Sequence, residues 1–477
     1  MSVCELISCV DTAWLRMDRP NNLMQIVGVL MFDGQLDEAI LRESLLHTVR
    51  VQPRFGQKAC LEGGEYYWRT DPDFDLDLHL KRVILPGKAG KAGKVELERL
   101  VADFASTPLN HQRPLWEMHL VDTSLGGQAL VVRFHHAMGD GFSLVRAMLT
   151  MMDESPVAPP RPQPEPVAND DGDEEHDQQG SRLLRAGLKL TGTLWSKYVE
   201  VLTHPTKAMD YLKTSRDVTA ELYTIATLSD DANTRLKGET GSTKRVAWSE
   251  QIPLPDVKAV GRVLGCSVND LLIAATAGAF RHYLLEQGDQ TDIDIRALVP
   301  VNMRAPDDKG ALGNRFGLVA LDLPLNIEHP LQRLYAVRDR MQALKSSLQP
   351  AVVLNLLEVM GMAPKAVQQQ AIDILSAKAS TVITNVPGPQ QTLYLAGARL
   401  RQPLFWVPQA GDIAVGVSIL SYDNKVQLGL ITDKKRVPDP DLIVERFAVE
   451  FEQLLLLVLM EPDLIYDPDM LDQLLHG

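Results

Sequence analysis

The stretch VVRFHHAMGDGFSL, residues 131 to 144, sets two histidines side by side, an aspartate four positions after the second, and a glycine directly after that. It closes an apolar run, GQALVVRFHH (127 to 136), that reads as a strand, and opens FSLVRAMLTMM (142 to 152), which reads as a helix. Successive side chains of a strand point to opposite faces. With residues 129 to 136 extended, Leu130, Val132, Phe134 and His136 share one face, and Ala129, Val131, Arg133 and His135 share the other. The two histidines therefore do different jobs, and His136 brings its imidazole to the mouth of a buried region.

Three readings of the pair compete. Zinc needs three or four convergent ligands, and adjacent histidines on opposite faces converge poorly, so no metal is expected. Two histidines capping a strand are the ordinary structural reading of the pair taken alone. The Asp140-Gly141 continuation shifts the balance toward a positioned base. An aspartate in a tight turn fixes the loop through hydrogen bonds or an arginine pair, and glycine permits the backbone geometry needed there. A histidine so held is suited to take a proton from a hydroxyl or thiol. No GxSxG-type nucleophile motif accompanies it, which favours direct transfer over a covalent enzyme intermediate.

Working outward, a chain of 477 residues exceeds what one hydrophobic core usually supports, so two domains are expected. With 45% hydrophobic and 23% charged residues it reads as a folded soluble protein. Half of the net charge of −14 belongs to one segment, Glu154 to Ser181, where eight acidic residues face a single arginine. The remainder is mildly acidic and carries no basic footprint for nucleic acid. Cys4, Cys9, Cys60 and Cys266 have no metal-type spacing and read as reduced thiols of a cytoplasmic protein. The beginning, MSVCELISCVDTAWLRMD, lacks a basic start and a long apolar run, so no signal peptide is expected. The longest purely apolar run, Leu454 to Met460, is far short of the roughly 20 residues of a membrane span. Any contact with a membrane is therefore made from its surface.

The Pro-rich, acidic segment has almost nothing to bury and marks a linker. The expected organisation is a first lobe over residues 1–153 carrying the histidine motif, a linker over 154–182, a helical crossover over 183–240 and a second lobe over 241–477. In the crossover, Leu184, Leu188, Trp195, Tyr198 and Leu202 recur at near-helical spacing; a helix over 183–202 rests on a lipid surface or packs across a domain. In the first lobe LMQIVGVLMF (23 to 32) reads as a strand and LDEAILRESLLHTVR (36 to 50) as a helix. In the second, VNDLLIAATAGAFRHYLLEQ (268 to 287) reads as a helix, IDIRALVPVNMR (293 to 304) as extended, and residues 412–433 as two strands joined at Asp423-Asn424-Lys425. Two α/β halves of similar grammar point to a two-lobed enzyme with its site between the lobes.

HHAMGDG (135 to 141) resembles the HHxxxDG motif of the CoA-dependent acyltransferase superfamily, which includes chloramphenicol acetyltransferase and peptide-synthetase condensation domains. Six further segments narrow the likeness: DTAWLRMD (11 to 18), PLNHQRPLWEMHLVD (108 to 122), SVNDLLIAATAGAFRHYL (267 to 284), PVNMR (300 to 304), GNRFGLVALDLP (313 to 324) and TNVPGPQQTLYLAGARL (384 to 400). In this order they resemble the bacterial wax ester synthase/acyl-CoA:diacylglycerol acyltransferases, from near the N-terminus to about residue 455.

The resemblance implies an α/β fold of two chloramphenicol-acetyltransferase-like lobes with a substrate tunnel at their interface. It implies that acyl-CoA is a co-substrate, that no cofactor or metal is required, and that the acceptor is diacylglycerol, a long-chain fatty alcohol or both. By the family's motif His136 is the general base, His135 shapes the turn, Asp140 is structural and Gly141 completes the motif. An arginine, with Arg304 of PVNMR as the candidate, is the expected partner of Asp140. Asn269 and Asp270 match a second family motif, with Asn269 capping the following helix, ordering the substrate channel, or both. Asn302, Thr384 and Asn385 are the candidate donors to the oxyanion of the tetrahedral intermediate.

NVPGP is a rigid turn that the resemblance makes a wall of the site, and Trp116 belongs to the core. Lys88, Lys91 and Lys94 either meet the CoA phosphates or lie in a solvated loop. The apolar face of residues 351–364 contacts an acyl chain or packs in the core. The expected location is cytoplasmic, attached peripherally to the inner membrane or to lipid bodies. The alternatives are a condensation-type acyltransferase acting on an amine or carrier-bound substrate, and a silent lipid-binding member of the fold.

Overall fold

The computed structural model describes residues 4–86, 90–157, 228–303, 313–344, 349, 353–354, 357, 361–362 and 365–460. Lys88, Arg304, the linker beyond residue 157, the helix expected over 183–202 and much of 351–364 lie outside the described residues.

The motif strand forms as its pattern dictates, over Gln128–His135, and all eight of its residues are buried. Its two faces serve two cores. Leu130, Val132 and Phe134 pack with Leu30, Phe55 and Trp116, whereas Ala129 and Val131 meet Leu97 and Val101 of the helix Lys91–Ala105. The strand sits inside a six-stranded sheet in the order Tyr394–Leu395, Ala398–Trp406, Gln25–Asp33, Gln128–His135, Trp116–Asp122, Leu80–Ile84. Its pairings are antiparallel except the last, where Leu80–Ile84 runs parallel to Trp116–Asp122.

The second sheet runs Phe316–Pro324, Asp294–Asn302, Thr381–Pro387, Val415–Tyr422, Lys425–Asp433, Lys244–Trp248, with Ile252–Pro253 pairing on Lys425–Asp433. The helix Val268–Glu286 crosses one face of this sheet. Its run of small and apolar residues from Leu271 to Phe280 is buried on every side, as an unbroken apolar stretch requires. The turn between the paired strands Val415–Tyr422 and Lys425–Asp433 is two residues long, with Asp423 and Asn424 at φ of 48° and 57°. Both central residues at positive φ is the signature of the tight hairpin turn expected there. Among the described residues no single helix is long and apolar enough to cross a membrane.

The division of the chain at residue 241 does not separate the sheets. Ala398–Trp406, from the segment assigned to the second lobe, pairs antiparallel with Gln25–Asp33 of the first. The chain leaves the second sheet after Thr381–Pro387, completes the first, and returns as Val415–Tyr422. Hydropathy reports that these residues are strands but carries no record of which sheet they join.

Candidate active site

The strand ends at His135, and His136–Met138 forms a single tight turn. His136 is thereby lifted off the sheet into the space between the lobes. Its backbone N–H donates to the Met24 carbonyl at 2.7 Å, and its carbonyl accepts from Asn314 Nδ2 at 2.7 Å. The same amide nitrogen donates to Asp11 Oδ1 at 2.7 Å, so Asn314 joins the first helix, Cys9–Met17, to the histidine turn. The imidazole stacks on the Trp14 indole, ring centroids 4.0 Å apart and planes 20° from parallel, with the Phe316 ring at 5.8 Å. Only 4% of His136 is exposed. Burial pushes its pKa down to about 4, the Asp140 carboxylate pulling the other way and His135 adding to the fall. At neutral pH the imidazole is uncharged and able to accept a proton.

His135 is held differently. Its Nδ1 accepts from the Ala137 N–H at 3.1 Å, which puts the ring proton on Nε2, and Nε2 donates to Asp18 Oδ2 at 3.2 Å. Asp18 also takes the Met24 N–H at 2.6 Å and His111 Nε2 at 3.2 Å. Burial alone would raise the Asp18 pKa, but the bonds from His111, His135 and Met24 hold the carboxyl well below the usual range. Asp18, His111 and His135 bring ligand-type atoms within 4.8 Å of one another. A protonated Nε2 offers no lone pair to a cation, so the tautomer set by Ala137 makes this a hydrogen-bond cluster rather than a metal centre.

Asp140 precedes the helix Gly141–Leu149 and caps it: its Oδ1 accepts the Ser143 N–H at 2.9 Å. Its Oδ2 accepts the Arg315 N–H at 3.1 Å, and its own N–H donates to the Gly313 carbonyl at 3.2 Å. Asp140 thus staples the motif to the segment entering the second sheet through main-chain groups, while Arg304 falls outside the described residues. Gly141 corrects another expectation. It has no positive φ, and a Cβ there would meet nothing within 4 Å. It leaves room beside His136; it does not relieve backbone strain.

That room belongs to a cavity of about 1520 Å³, partly open to solvent, lined by both lobes and by Trp14 and His136. The second sheet contributes one face: Phe316 and Leu318, Leu298 and Pro300, Val382 and Thr384, Ser418 and Leu420 alternate along four adjacent strands. Their neighbours Val319, Ala297, Ile383 and Val417 face away from it, the last three into the core beneath. From the first sheet and its composite edge come Ile26 and Phe405. Phe405 lies across from Gly28, where a Cβ would come within 2.6 Å of its ring and 2.9 Å of Val132. The missing side chain is what lets this ring lie back against the sheet.

Two family descriptions match the chain: the wax ester synthase/diacylglycerol acyltransferase catalytic domain over residues 7–272, and the corresponding C-terminal domain over 312–455. The chain belongs to the wax ester synthase/diacylglycerol acyltransferase family. It is therefore an acyltransferase, with diacylglycerol or an alcohol as acceptor. A probable diacylglycerol O-acyltransferase of Mycobacterium tuberculosis is 28% identical over 448 residues, covering 91% of this chain and 92% of the relative. Another from Mycobacterium bovis is 28% identical over 456 residues, covering 90% and 94%. The wax ester synthase/diacylglycerol acyltransferase of Marinobacter aquaeolei VT8 shares the fold at a TM-score of 0.67 and 21% identity, over 94% of this chain and 99% of that one. The first condensation domain of the CDA synthetase does so at 0.58 and 17%, over 95% and 96%. The fold is the two-lobed α/β arrangement these proteins share.

The remaining expectations for this acyltransferase divide. Asn302, Thr384 and Asn385 all line the cavity. Thr384 donates its hydroxyl proton to the Val417 carbonyl at 3.2 Å, leaving none for an oxyanion. Asn385 Nδ2 donates to Asn269 Oδ1 at 2.8 Å, which joins the two family motifs directly. Asn269 does not cap the helix: Ser267 does, in a reciprocal pair with the Asp270 backbone and carboxylate at 3.1 and 2.9 Å. Asp270 is therefore structural. Lys94 binds the Trp248 carbonyl at 2.7 Å and Lys91 lies 3.6 Å from Glu445, so both reach toward other parts of the fold. Trp116 is core, its indole N–H bonded to the Phe55 carbonyl at 2.8 Å. Val353 and Leu357 line the cavity, which favours the acyl-contact reading of their segment. Trp14, Asp18 and Asn314, which hold or touch His136 or His135, are among the residues that escaped the sequence reading. All three lie in segments that carried the family likeness, but no spacing in the chain links position 14 or 314 to position 136.

Proposed function

We propose that this enzyme moves a long-chain fatty acyl group from acyl-CoA to the hydroxyl of diacylglycerol, a long-chain fatty alcohol, or both. The observation that carries the reading is a buried, neutral His136 at the wall of a large, mostly apolar cavity between the lobes. His136 removes the proton of the acceptor hydroxyl as its oxygen attacks the thioester carbonyl. The C–S bond of the tetrahedral intermediate then breaks, and the imidazolium returns its proton to the departing CoA thiolate. The ester and free CoA are the products, with no net proton change. Asn302 and the second amide N–H of Asn385 are the candidate oxyanion donors, since Thr384 is committed elsewhere. CoA arrives on the substrate, and no metal or prosthetic group takes part.

We place the enzyme in the cytoplasm, attached peripherally to the inner membrane or lipid bodies where its substrates and products reside. Leu456, Leu459 and Met460 stand exposed near the end of the helix Pro440–Met460 and suit such a contact. The test is direct. Purified protein is incubated with palmitoyl-CoA and, separately, hexadecanol, dioleoylglycerol or an alkyl amine, with CoA release and lipid products followed with and without a chelator. Wax ester or triacylglycerol forming in step with CoA, with or without chelator, is expected. CoA release that needs no acceptor, or that occurs only with the amine, would overturn the reading.

A further inference from the structure

Asp11, Trp14 and Asp18 sit at i, i+3 and i+7 of the segment DTAWLRMD and so share one face of the first helix or its C-terminal cap. Each engages the histidine turn. Asp11 reaches the His136 carbonyl through Asn314, Asp18 binds His135 Nε2, and Trp14, between them, lays its indole on the His136 ring. The helix is itself pinned from the far side, where Gln368 Nε2 donates to the Ala13 carbonyl at 2.8 Å and Arg16 to the Gly361 carbonyl at 3.0 Å. The stack is therefore fixed at both ends.

The Trp14 indole N–H is buried and finds no hydrogen-bond partner among the described residues. An unpaired buried donor is a cost that a phenyl ring would avoid. Filling space alone is thus a poor account of an indole at this position. What the indole supplies beyond a phenyl ring is a larger face with stronger attraction for a cation.

We propose that the Trp14 indole is a positioning residue of the acyl transfer, orienting His136 and stabilising the imidazolium that forms when His136 takes the acceptor's proton. The need for it follows from the surroundings. The base is almost wholly buried, so the charge it acquires is poorly solvated. Among the described residues the groups facing it are the Asp140 carboxylate, which already accepts from the Ser143 and Arg315 main chain, the neighbouring His135, the Asn314 amide, and the Trp14 and Phe316 rings. Of these only Trp14 presents a π face in near-parallel contact.

The inference rests on His136 being the base, and the experiment separates the two. Trp14→Phe, Trp14→Leu and His136→Ala are compared in steady-state assays with palmitoyl-CoA and hexadecanol, together with their thermal midpoints and the pH dependence of kcat/KM. Trp14→Leu is expected to lower kcat about 10-fold with KM little changed and to move the acid limb to lower pH, since the cation loses stabilisation. Trp14→Phe recovers part of kcat and melts no lower than the parent. A Trp14→Leu enzyme with unchanged kcat, a loss confined to KM, or activities that follow the thermal midpoints overturns the proposal. If Trp14→Leu does not fold, Trp14→Phe decides alone, and parental kcat and acid limb overturn it. A fully active His136→Ala enzyme sinks the underlying mechanism instead.

Discussion

Behind the HHAMGDG turn, Asp11, Asp18, His135, Asp140 and Asn314 lock four segments of chain into a closed hydrogen-bond net. In front of it, the cavity wall presents mainly Leu, Val, Pro and Phe side chains. The back fixes where the base is, to within what several short bonds allow. The front fixes nothing in particular and tolerates substrates by shape. Precision and permissiveness are thus assigned to opposite sides of one residue, and each side has its own way to fail.

The sharpest way to break that division is at its centre. His136→Ala is expected to lower kcat about 10²- to 10⁴-fold while far-ultraviolet circular dichroism stays native. Next come Asn314 and Asp18 of the back side, neither of which is among the residues lining the cavity. Asn314→Ala and Asp18→Asn are expected to lower kcat about 10- to 100-fold through small displacements of the turn, with similar losses for every acyl-CoA tested. A loss that depends on chain length would erase the distinction between back and front. The front should behave in the opposite manner. Phe405→Ala enlarges the cavity, and Gly28→Ala pushes the Phe405 ring into it. Competition between dodecanoyl- and octadecanoyl-CoA is expected to shift about 10-fold, in opposite directions for the two variants, with total turnover largely kept.

The smallest effect is thermodynamic. His136 in the folded protein titrates near 4, below the ordinary value of 6.5, so the unfolded chain binds more protons between these limits. The stability this lends is present above about pH 6.5 and is lost as pH falls toward 4. His119, buried against Phe104, is also pushed to about 4, again mainly by burial, and acts with the same sign. The thermal midpoint should therefore decline over that window, less steeply in His136→Ala. An equal slope in both proteins would show that burial does not hold the base neutral.

How much of this was legible in the chain follows the range of each interaction. The motif strand, its two faces and the Asp423-Asn424 turn were readable, because strand parity and turn chemistry are local. The capping of the Val268–Glu286 helix was misplaced by two residues: Asn269 and Ser267 are both good caps, and only geometry distinguishes them. Arg304, the expected partner of Asp140, lies outside the described residues; what no sequence pattern marks is that the carboxylate also accepts from the Arg315 main chain, a donor every residue but proline possesses. Lys94 was free to be a phosphate ligand until Trp248, 154 positions away, took its ammonium. The Trp14 stack and the composite sheet join residues more than a hundred positions apart, and no periodicity encodes such a meeting.

The composite sheet also bears on how the molecule is made. While a ribosome is still synthesising the middle of the chain, Gln25–Asp33 can pair with Gln128–His135 on one side only, because its other neighbour, Ala398–Trp406, does not yet exist. At about 5–20 residues per second that open edge waits on the order of tens of seconds. An unpaired strand rich in Val, Ile and Phe is a template for wrong partners. Birth of the active site is therefore a late event, and the first lobe spends its youth in need of protection.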